Sequence, residues 1–235
     1  MIELHQYRRS WGINPSLFCL KVEIFCRLSG IPYKSIQTVP FKAPRGKLPY
    51  IVDGGETIAD SAHIIAHLKA KTGKDIDAGL DEQQLAEGHL LRRTCEESLY
   101  FVLVYSRWID DAGWAVAAPQ FFRGFNFLLK AVVPGRIRKK VRTQLFFQGY
   151  GRHSRDEVFS LGAADLAAIA TLLSHHAFAV ADRPTSYDAS LYAVLKNILH
   201  PPLESPLKQA AEALPVLGEY VKRVEHLLEA QAPQA

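Results

Sequence analysis

The sequence is poor in sulfur-containing residues, with three cysteines and one methionine in 235 residues. Three cysteines cannot build a disulfide framework, so nothing in the composition points to an oxidising compartment. A long uncharged run is also missing, because the apolar stretch 115–135 is interrupted by Arg123 and Lys130, and this excludes a membrane-spanning helix. No basic segment followed by an apolar core follows Met1, so we expect no signal peptide and a cytoplasmic protein.

The overall composition is that of an ordinary globular protein. Apolar residues make up 48% of the chain and charged residues 22%, with a formal net charge of +4. These values exclude disordered and fibrous classes. The length is sufficient for one large domain or two small ones, each with its own core.

Acidic residues are missing from 112–155, a region that carries nine basic residues with a dense centre at 136–142. This pattern predicts a solvated helix face, or a surface for an anionic ligand or a membrane. Nucleic acid is not an expected partner, because the rest of the chain is neutral and contains no reading motif. Binding to a membrane surface is a minor alternative, because four phenylalanines precede the basic centre at 136–142: Phe121, Phe122, Phe125 and Phe127.

Residues 1–75 alternate between strand and helix patterns. They predict strands at 2–7 and 33–39 around a helix at 16–28, then a hairpin at 48–59 and a helix at 60–71. Two parallel strands joined by a helix form a βαβ unit. We therefore expect a small α/β domain in this part of the chain.

Strand patterns stop at 76–84, which has the composition of a linker, and 85–235 is helical in pattern. Three helix starts have good capping residues: Ser154 with Glu157, Thr185 with Asp188, and Ser205 with Pro206. The predicted fold is an α/β domain at 1–75 followed by an all-helical domain at 85–235.

Several motifs, taken in order, resemble the glutathione transferase superfamily, in which a thioredoxin-like domain precedes a helical bundle. The segments that carry this resemblance are 46–51 (GKLPYI), 60–65 (DSAHII) and 182–188 (DRPTSYD). A finer resemblance is to the branch of failed axon connections and metaxin proteins, and it rests on 18–23, 46–51 and 149–154. The resemblance extends over nearly the whole chain.

The resemblance implies that glutathione is the co-substrate. Leu48 would hydrogen-bond the cysteinyl backbone of glutathione through its own N–H and C=O, beside a cis Pro49. Asp60 would meet the ammonium group of the tripeptide, and Ser61 its γ-glutamyl carboxylate. Lys47 would meet the glycyl carboxylate or stay a solvated lysine. The alternative for Asp60 and Ser61 is plain helix capping.

A glutathione enzyme must stabilise the thiolate, because a thiol with a pKa of about 8.5 is only about 3% ionised at pH 7. A hydroxyl donor at a helix N-terminus can supply this stabilisation. Ser16 is the first candidate; Ser10, Trp11 and Tyr7 are alternatives, with Trp11 better suited to form a wall of the site. Ser16 could instead only cap its helix, or Asn14 could be the cap.

We expect the cysteines and two of the histidines to have structural roles rather than catalytic or metal-binding ones. Cys19, Cys26 and Cys95 fall at positions expected in a core, and no Cys-x-x-Cys motif indicates dithiol chemistry. His63 and His67 have metal-ligand spacing, yet neither an intervening glutamate nor a third ligand is evident, so we predict no metal site.

We expect the second substrate to bind between the two domains. The periodic segment 85–111 predicts one long helix. This helix offers four side chains toward that place: Tyr100, Tyr105, Arg107 and Trp108. Arg152 and His153 form a cationic pair that could stabilise an oxyanion or a leaving group. Alternatively, that pair only anchors the helix that begins after Ser154.

The resemblance therefore implies a cytoplasmic, homodimeric glutathione transferase that attacks a small hydrophobic electrophile with the glutathione thiolate. A glutathione-dependent isomerase, lyase or dehalogenase would share this thiolate. The alternative from another class is a non-catalytic binding or scaffold protein on the same fold, peripheral at membranes, since metaxin proteins are membrane-associated and a fold does not fix a function.

Overall fold

The computed structural model describes residues 1–230, and its N-terminal part is a four-stranded sheet with two helices. Its elements are β1 Ile2–Gln6, α1 Leu17–Leu28, β2 Tyr33–Gln37, β3 Tyr50–Asp53, β4 Glu56–Ala59 and α2 Ser61–Thr72. Leu4 and Ile51 of the sheet are fully buried in one core with Phe25 of α1 and Leu68 of α2. The predicted α/β domain is confirmed.

The sheet is mixed, with strand order β2-β1-β3-β4. β1 pairs in parallel with β2 and antiparallel with β3, and β3 and β4 form the predicted hairpin. The third strand begins at Tyr50, two residues later than the predicted start, and the Leu48–Pro49 peptide bond before it is cis. Pro49 has no N–H to donate to a ladder, so the backbone of Leu48 lies outside the sheet pairing.

The helical domain begins at Glu82, just before the predicted boundary. Its helices are α3 Glu82–Arg93, α4 Tyr100–Trp108, α5 Asp111–Phe121, α6 Phe127–Gln148, α7 Arg155–Leu173, α8 Ser186–Leu199, α9 Pro206–Glu212 and α10 Pro215–Ala230. The long helix predicted from residue 85 to 111 is interrupted by a π-helical turn at Thr94–Leu99, which joins α3 to α4. Such turns are frequent at functional sites, and this one carries the buried Glu96.

The predicted caps of the helical domain are confirmed. Capping boxes form at Ser154 with Glu157 and at Thr185 with Asp188, and Ser205 caps α9. The Asp188 carboxylate is buried and also accepts a hydrogen bond from the Tyr220 hydroxyl at 2.8 Å. The start of α8 is therefore fixed within the core.

The linker is tied to the start of α8. Arg183 donates hydrogen bonds to the carbonyl oxygens of Ile76 and Ala78, at 2.6 and 2.5 Å. The Asp77 carboxylate accepts from the backbone N–H of Ser186 at 2.7 Å. These contacts hold the two domains in one arrangement.

The helix α6 lies largely on the surface, and only Leu145 among its side chains is buried. Its first two turns expose four apolar side chains: Phe127, Leu128, Leu129 and Val132. None of the helices within residues 1–230 combines the length and the apolar character that crossing a membrane requires.

Candidate active site

Ser16 caps the N-terminus of α1. Its Oγ accepts a hydrogen bond from the N–H of Cys19 at 3.4 Å, and Asn14 is not the cap, because its side chain instead accepts from the N–H of Ser16 at 3.0 Å. The cap uses Oγ only as an acceptor, so the hydroxyl proton of Ser16 remains available for donation, either to the neighbouring Cys19 thiol or to a bound ligand. The N–H groups of Leu17 and Phe18 have no acceptor among residues 1–230, so the start of α1 favours an anion.

The loop before Ser16 contains a tight turn. Ser10 and Ile13 exchange two backbone hydrogen bonds, at 2.8 and 3.1 Å, across Trp11 and Gly12, which have φ values of 53° and 81°. Positive φ at both central residues matches a type I′ turn, which suits glycine but is uncommon for tryptophan. The turn presents the indole of Trp11 at the domain boundary.

The helical domain supports this loop at three points. Arg107 donates to the carbonyl oxygen of Pro15 at 2.8 Å, and Asn197 donates to the carbonyl oxygen of Asn14 at 3.3 Å. The Nε2 atom of His200 lies 2.8 Å from the carbonyl oxygen of Trp11. The position of Ser16 therefore depends on residues of α4 and α8.

The other candidates for the donor that stabilises a thiolate are less well placed than Ser16. Ser10 is buried in the turn, with both backbone groups paired to Ile13. The Trp11 ring packs against Phe121, with centroids 5.6 Å apart, as a wall of the site would. Tyr7 lies against a small cluster that includes Leu48, and burial raises the pKa of Tyr7, which keeps its hydroxyl protonated.

Leu48 offers an unpaired backbone beside the start of α1. Its side chain is buried and packs in the same cluster as Cys19, one turn into α1. Neither its N–H nor its C=O has a hydrogen-bond partner among residues 1–230. Buried backbone groups are almost always paired, so these two groups are suited to the backbone of a bound peptide. Lys47 is exposed.

Asp60 and Ser61 form the start of α2. Asp60 is exposed and caps the helix, with Oδ1 accepting from the N–H of Ala62 at 2.9 Å. Its φ of 87° is strained for a residue with a side chain, and such strain clusters at functional sites. Ser61 is buried, and its Oγ lies 3.3 Å from the ammonium nitrogen of Lys21.

Trp108 lies near the loop of residues 10–15 before Ser16, which we call the active-site loop. Its ring stacks on Phe121 with centroids 5.3 Å apart, and Phe121 in turn contacts Trp11. Tyr100 contacts Phe18 of α1 at 4.9 Å between ring centroids. These contacts place aromatic walls on the helical-domain side of α1.

The remaining predicted pocket residues make other contacts. Tyr105 is buried against Phe159 of α7, 6.0 Å between centroids. Arg152 is exposed and donates to the carbonyl oxygen of Phe146 at 3.0 Å, and His153 is exposed beside Glu157. Their assignment to the pocket stays a prediction, which these contacts do not support.

The protein thiols are not suited to nucleophilic work. All three cysteines are buried, and burial raises the pKa of Cys19 and of Cys26 to about 12. A thiol with this pKa is almost entirely protonated at neutral pH. A reactive sulfur at this site must therefore come from a ligand.

The two histidines of α2 form no metal site. The Nε2 atom of His67 lies 2.9 Å from the Asp53 carboxylate, which also pairs with Lys71. His63 is exposed. Within residues 1–230 no cluster of His, Cys, Asp and Glu side chains could hold a metal ion.

Two family profiles match the chain. One describes a glutathione S-transferase N-terminal domain and matches residues 17–113. The other describes a glutathione S-transferase C-terminal domain and matches residues 162–224.

Two characterised proteins are similar in sequence over almost the whole chain. Isoprene-epoxide–glutathione S-transferase from Rhodococcus sp. strain AD45 is 34% identical over 232 residues, which covers 95% of this chain and 98% of that protein. Failed axon connections from Drosophila melanogaster is 31% identical over 242 residues, covering 96% of this chain and 57% of that protein.

The fold is similar to that of a crystal structure of a glutathione S-transferase from Rhodospirillum rubrum F11. The two structures align with a TM-score of 0.62 over 100% of this chain and 93% of the other, at 15% sequence identity. A similar alignment, with a TM-score of 0.58 and 14% identity, is found for a β-etherase from Sphingobium sp. strain SYK-6.

The support that Arg107 gives the active-site loop can be tested with Arg107→Met. The substitution leaves the oxygens of Pro15 and Asn197 without their donor, so we expect the free energy of unfolding to fall by about 3 kcal/mol. Hydrogen exchange measured by mass spectrometry should speed up most in segment 10–18.

Arg223→Met is the matched control, because Arg223 donates to a single carbonyl oxygen on the surface. It should leave exchange in segment 10–18 unchanged. Equal protection of that segment in Arg107→Met and wild type would contradict the assigned role of Arg107.

Proposed function

This chain belongs to the glutathione S-transferase family and uses glutathione as its co-substrate, and we propose that its second substrate is a small apolar epoxide. The enzyme acts on a small hydrophobic electrophile. The epoxide is supported by the 34% identity, over nearly the full length of both chains, to a transferase named for isoprene epoxide. The apolar walls formed by Trp11, Phe121 and Trp108 suit such a substrate.

One observation carries the mechanism: the Ser16 hydroxyl, which acts only as an acceptor in the helix cap, lies at the N-terminus of α1, close to the unpaired backbone of Leu48. In our proposal Leu48 pairs with the cysteinyl backbone of glutathione, which brings the sulfur to the start of α1. The Ser16 hydroxyl and the helix dipole then stabilise the thiolate. Lowering the thiol pKa by about 2 units corresponds to about 2.7 kcal/mol of stabilisation.

The γ-glutamyl end of glutathione would lie at the start of α2. The exposed Asp60 carboxylate pairs with the ammonium group, and Ser61 with the helix N-terminus receives the carboxylate. Lys47 is exposed and available to the glycyl carboxylate. These roles follow the family resemblance of the segments 46–51 and 60–65.

The chemical step is a displacement on the strained ring. The thiolate sulfur forms a bond to one epoxide carbon while the bond from that carbon to oxygen breaks. The alkoxide that results takes a proton from water. The protein contributes the thiolate, the orientation of the two reactants and an apolar surface against the alkyl part of the epoxide.

Ser16→Ala tests the proposed activator. Without the hydroxyl donor but with the helix N-terminus still present, we expect the pKa of the bound glutathione thiol to rise by about 1 unit. Turnover of a small epoxide should then fall by about fivefold to tenfold at or below pH 6.5 and recover as the pH rises above the new pKa. Thiolate absorbance and the pH–rate profile measure the shift.

Ser154→Ala is the matched control, since it removes a comparable helix cap at α7 and should leave the thiol pKa unchanged. Ser10→Ala tests the rival donor. An unshifted thiol pKa in Ser16→Ala together with a raised one in Ser10→Ala would assign the role to Ser10.

The resemblance also implies a cytoplasmic homodimer, and we include both in the proposal. Exposed apolar side chains support an interface between copies, with Leu90 of α3 and Phe147 of α6 at 66% and 75% exposure. Analytical ultracentrifugation tests this directly. A monomer at micromolar concentration would contradict the dimer.

The surface of α6 favours a second candidate, in which the enzyme is peripheral at an anionic membrane. Its first two turns expose Phe127 and Leu128, and the surrounding segment 112–155 contains no acidic residue and nine basic ones. Apolar side chains next to basic ones suit the interface of a negatively charged bilayer. Five cations follow the apolar turns on α6, of which Arg138 is paired with Asp111: Arg136, Arg138, Lys139, Lys140 and Arg142.

Vesicle sedimentation tests the membrane candidate. We expect binding to vesicles that contain phosphatidylglycerol, weaker binding at high salt, and none to pure phosphatidylcholine, because the attraction is electrostatic. Phe127→Ser with Leu128→Ser should abolish binding, while Leu161→Ser, another exposed apolar side chain, should not. No binding to anionic vesicles at low salt would exclude this candidate.

A further inference from the structure

A buried ion pair crosses the domain boundary beneath the start of α2. Lys21 of α1 is 1% exposed, and its ammonium nitrogen lies 2.6 Å from Oε1 of Glu96 in the π-helical turn. The same carboxylate oxygen accepts from the hydroxyl of Ser190 on α8 at 2.7 Å. The lysine is thus fixed by the helical domain although it belongs to the α/β domain.

Lys21 also touches the residue that our proposal assigns to the γ-glutamyl carboxylate. Its ammonium group donates to Oγ of Ser61 at 3.3 Å. An ammonium group has donors only, so Ser61 must accept in this contact. The hydroxyl proton of Ser61 is then directed away from Lys21 and can be donated to a ligand.

The surroundings are suited to a negatively charged ligand group. Ser61 is the first residue of α2, where the helix N-terminus favours anions, and Asp60 before it is exposed and strained at φ 87°. A carboxylate bound to the Ser61 hydroxyl would lie about 5 Å from the Lys21 nitrogen, given ordinary hydrogen-bond lengths. Glu96 is held behind the lysine by Ser190, within the domain interface.

We propose that Lys21 is a positioning residue of the γ-glutamyl subsite. It holds the Ser61 hydroxyl as a donor and places a positive charge behind it, so that the enzyme recognises the α-carboxylate of the γ-glutamyl group. Glu96 fixes Lys21 from the helical domain, which makes this recognition depend on the domain interface. The inference rests on the proposed use of the α2 start for glutathione.

A purely structural ion pair would hold the domains together without affecting ligand recognition. The two roles are separated by a pair of ligands: glutathione and γ-aminobutyryl-cysteinylglycine, which differs from glutathione only by lacking that carboxylate. We expect the wild-type enzyme to bind glutathione at least about tenfold more tightly, since hydrogen bonds to charged groups are strong.

The variant to compare is Lys21→Met with Glu96→Leu. Replacing both partners of a buried pair by apolar residues is often neutral for stability, whereas removal of one leaves an unpaired charge. In this variant we expect the preference for glutathione in calorimetric binding to fall below about threefold. Circular dichroism and thermal unfolding confirm that the variant is folded.

Lys196→Met with Glu225→Leu is the matched control, because this pair joins α8 to α10 at 2.5 Å and involves none of the residues assigned to the ligand. It should keep the wild-type preference. A folded Lys21→Met, Glu96→Leu variant with the wild-type preference would overturn the inference.

Nuclear magnetic resonance on the wild-type enzyme gives a second test that needs no variant to fold. Saturation with glutathione should shift the side-chain nitrogen resonance of Lys21, and γ-aminobutyryl-cysteinylglycine should shift it much less. Equal shifts with both ligands would overturn the role of Lys21. A wild-type enzyme that binds neither ligand would instead overturn the proposed glutathione site itself.

Discussion

A buried guanidinium group holds the loop that leads into the active site. Arg107 is 4% exposed, and its hydrogen-bond acceptors are the carbonyl oxygen of Pro15 and two oxygens of Asn197 rather than a carboxylate. Burial lowers the pKa of Arg107 to about 9, so the group remains charged at neutral pH. A buried charge is tolerated only when its donors are paired, which ties the loop to α4 and α8. The cap at Ser16 takes its position from this constraint.

The two domains therefore have different roles at the proposed site. In our proposal the α/β domain supplies the groups that face glutathione, at the starts of α1 and α2 and at Leu48. The helical domain contacts the same segments, through Arg107 at the loop before α1 and through Glu96, which pairs with Lys21 next to the start of α2. Both contacts are buried and polar, so loss of either would leave polar groups without partners in the domain interface.

Local patterns were enough to predict the fold and part of the site. The caps at Ser16, Asp60 and Ser154 depend on a few neighbouring residues, so the sequence alone indicates them. Asn197 and His200 carry no local signal, because they meet residues 11–15 only after the domains pack. The pattern of apolar residues also does not indicate the π-helical turn that carries Glu96, because the contacts of Glu96 form only after the domains pack.

The strained backbone supports the same location for the site. Within residues 1–230, Trp11 and Asp60 are the non-glycine residues with positive φ, and both lie at the predicted glutathione site. Strain of this kind persists only where the surroundings enforce it. At Trp11 the surroundings include His200 and Arg107.

Calorimetric titration of glutathione into the wild-type enzyme and into Asp60→Ala tests the central claim most directly. The claim predicts that the wild type binds glutathione with a micromolar-to-millimolar dissociation constant. In Asp60→Ala, which lacks the carboxylate proposed to meet the ammonium group, the affinity should fall by about tenfold or more. Binding that is equally tight in Asp60→Ala would place glutathione elsewhere, and absence of binding by the wild type would contradict the account as a whole.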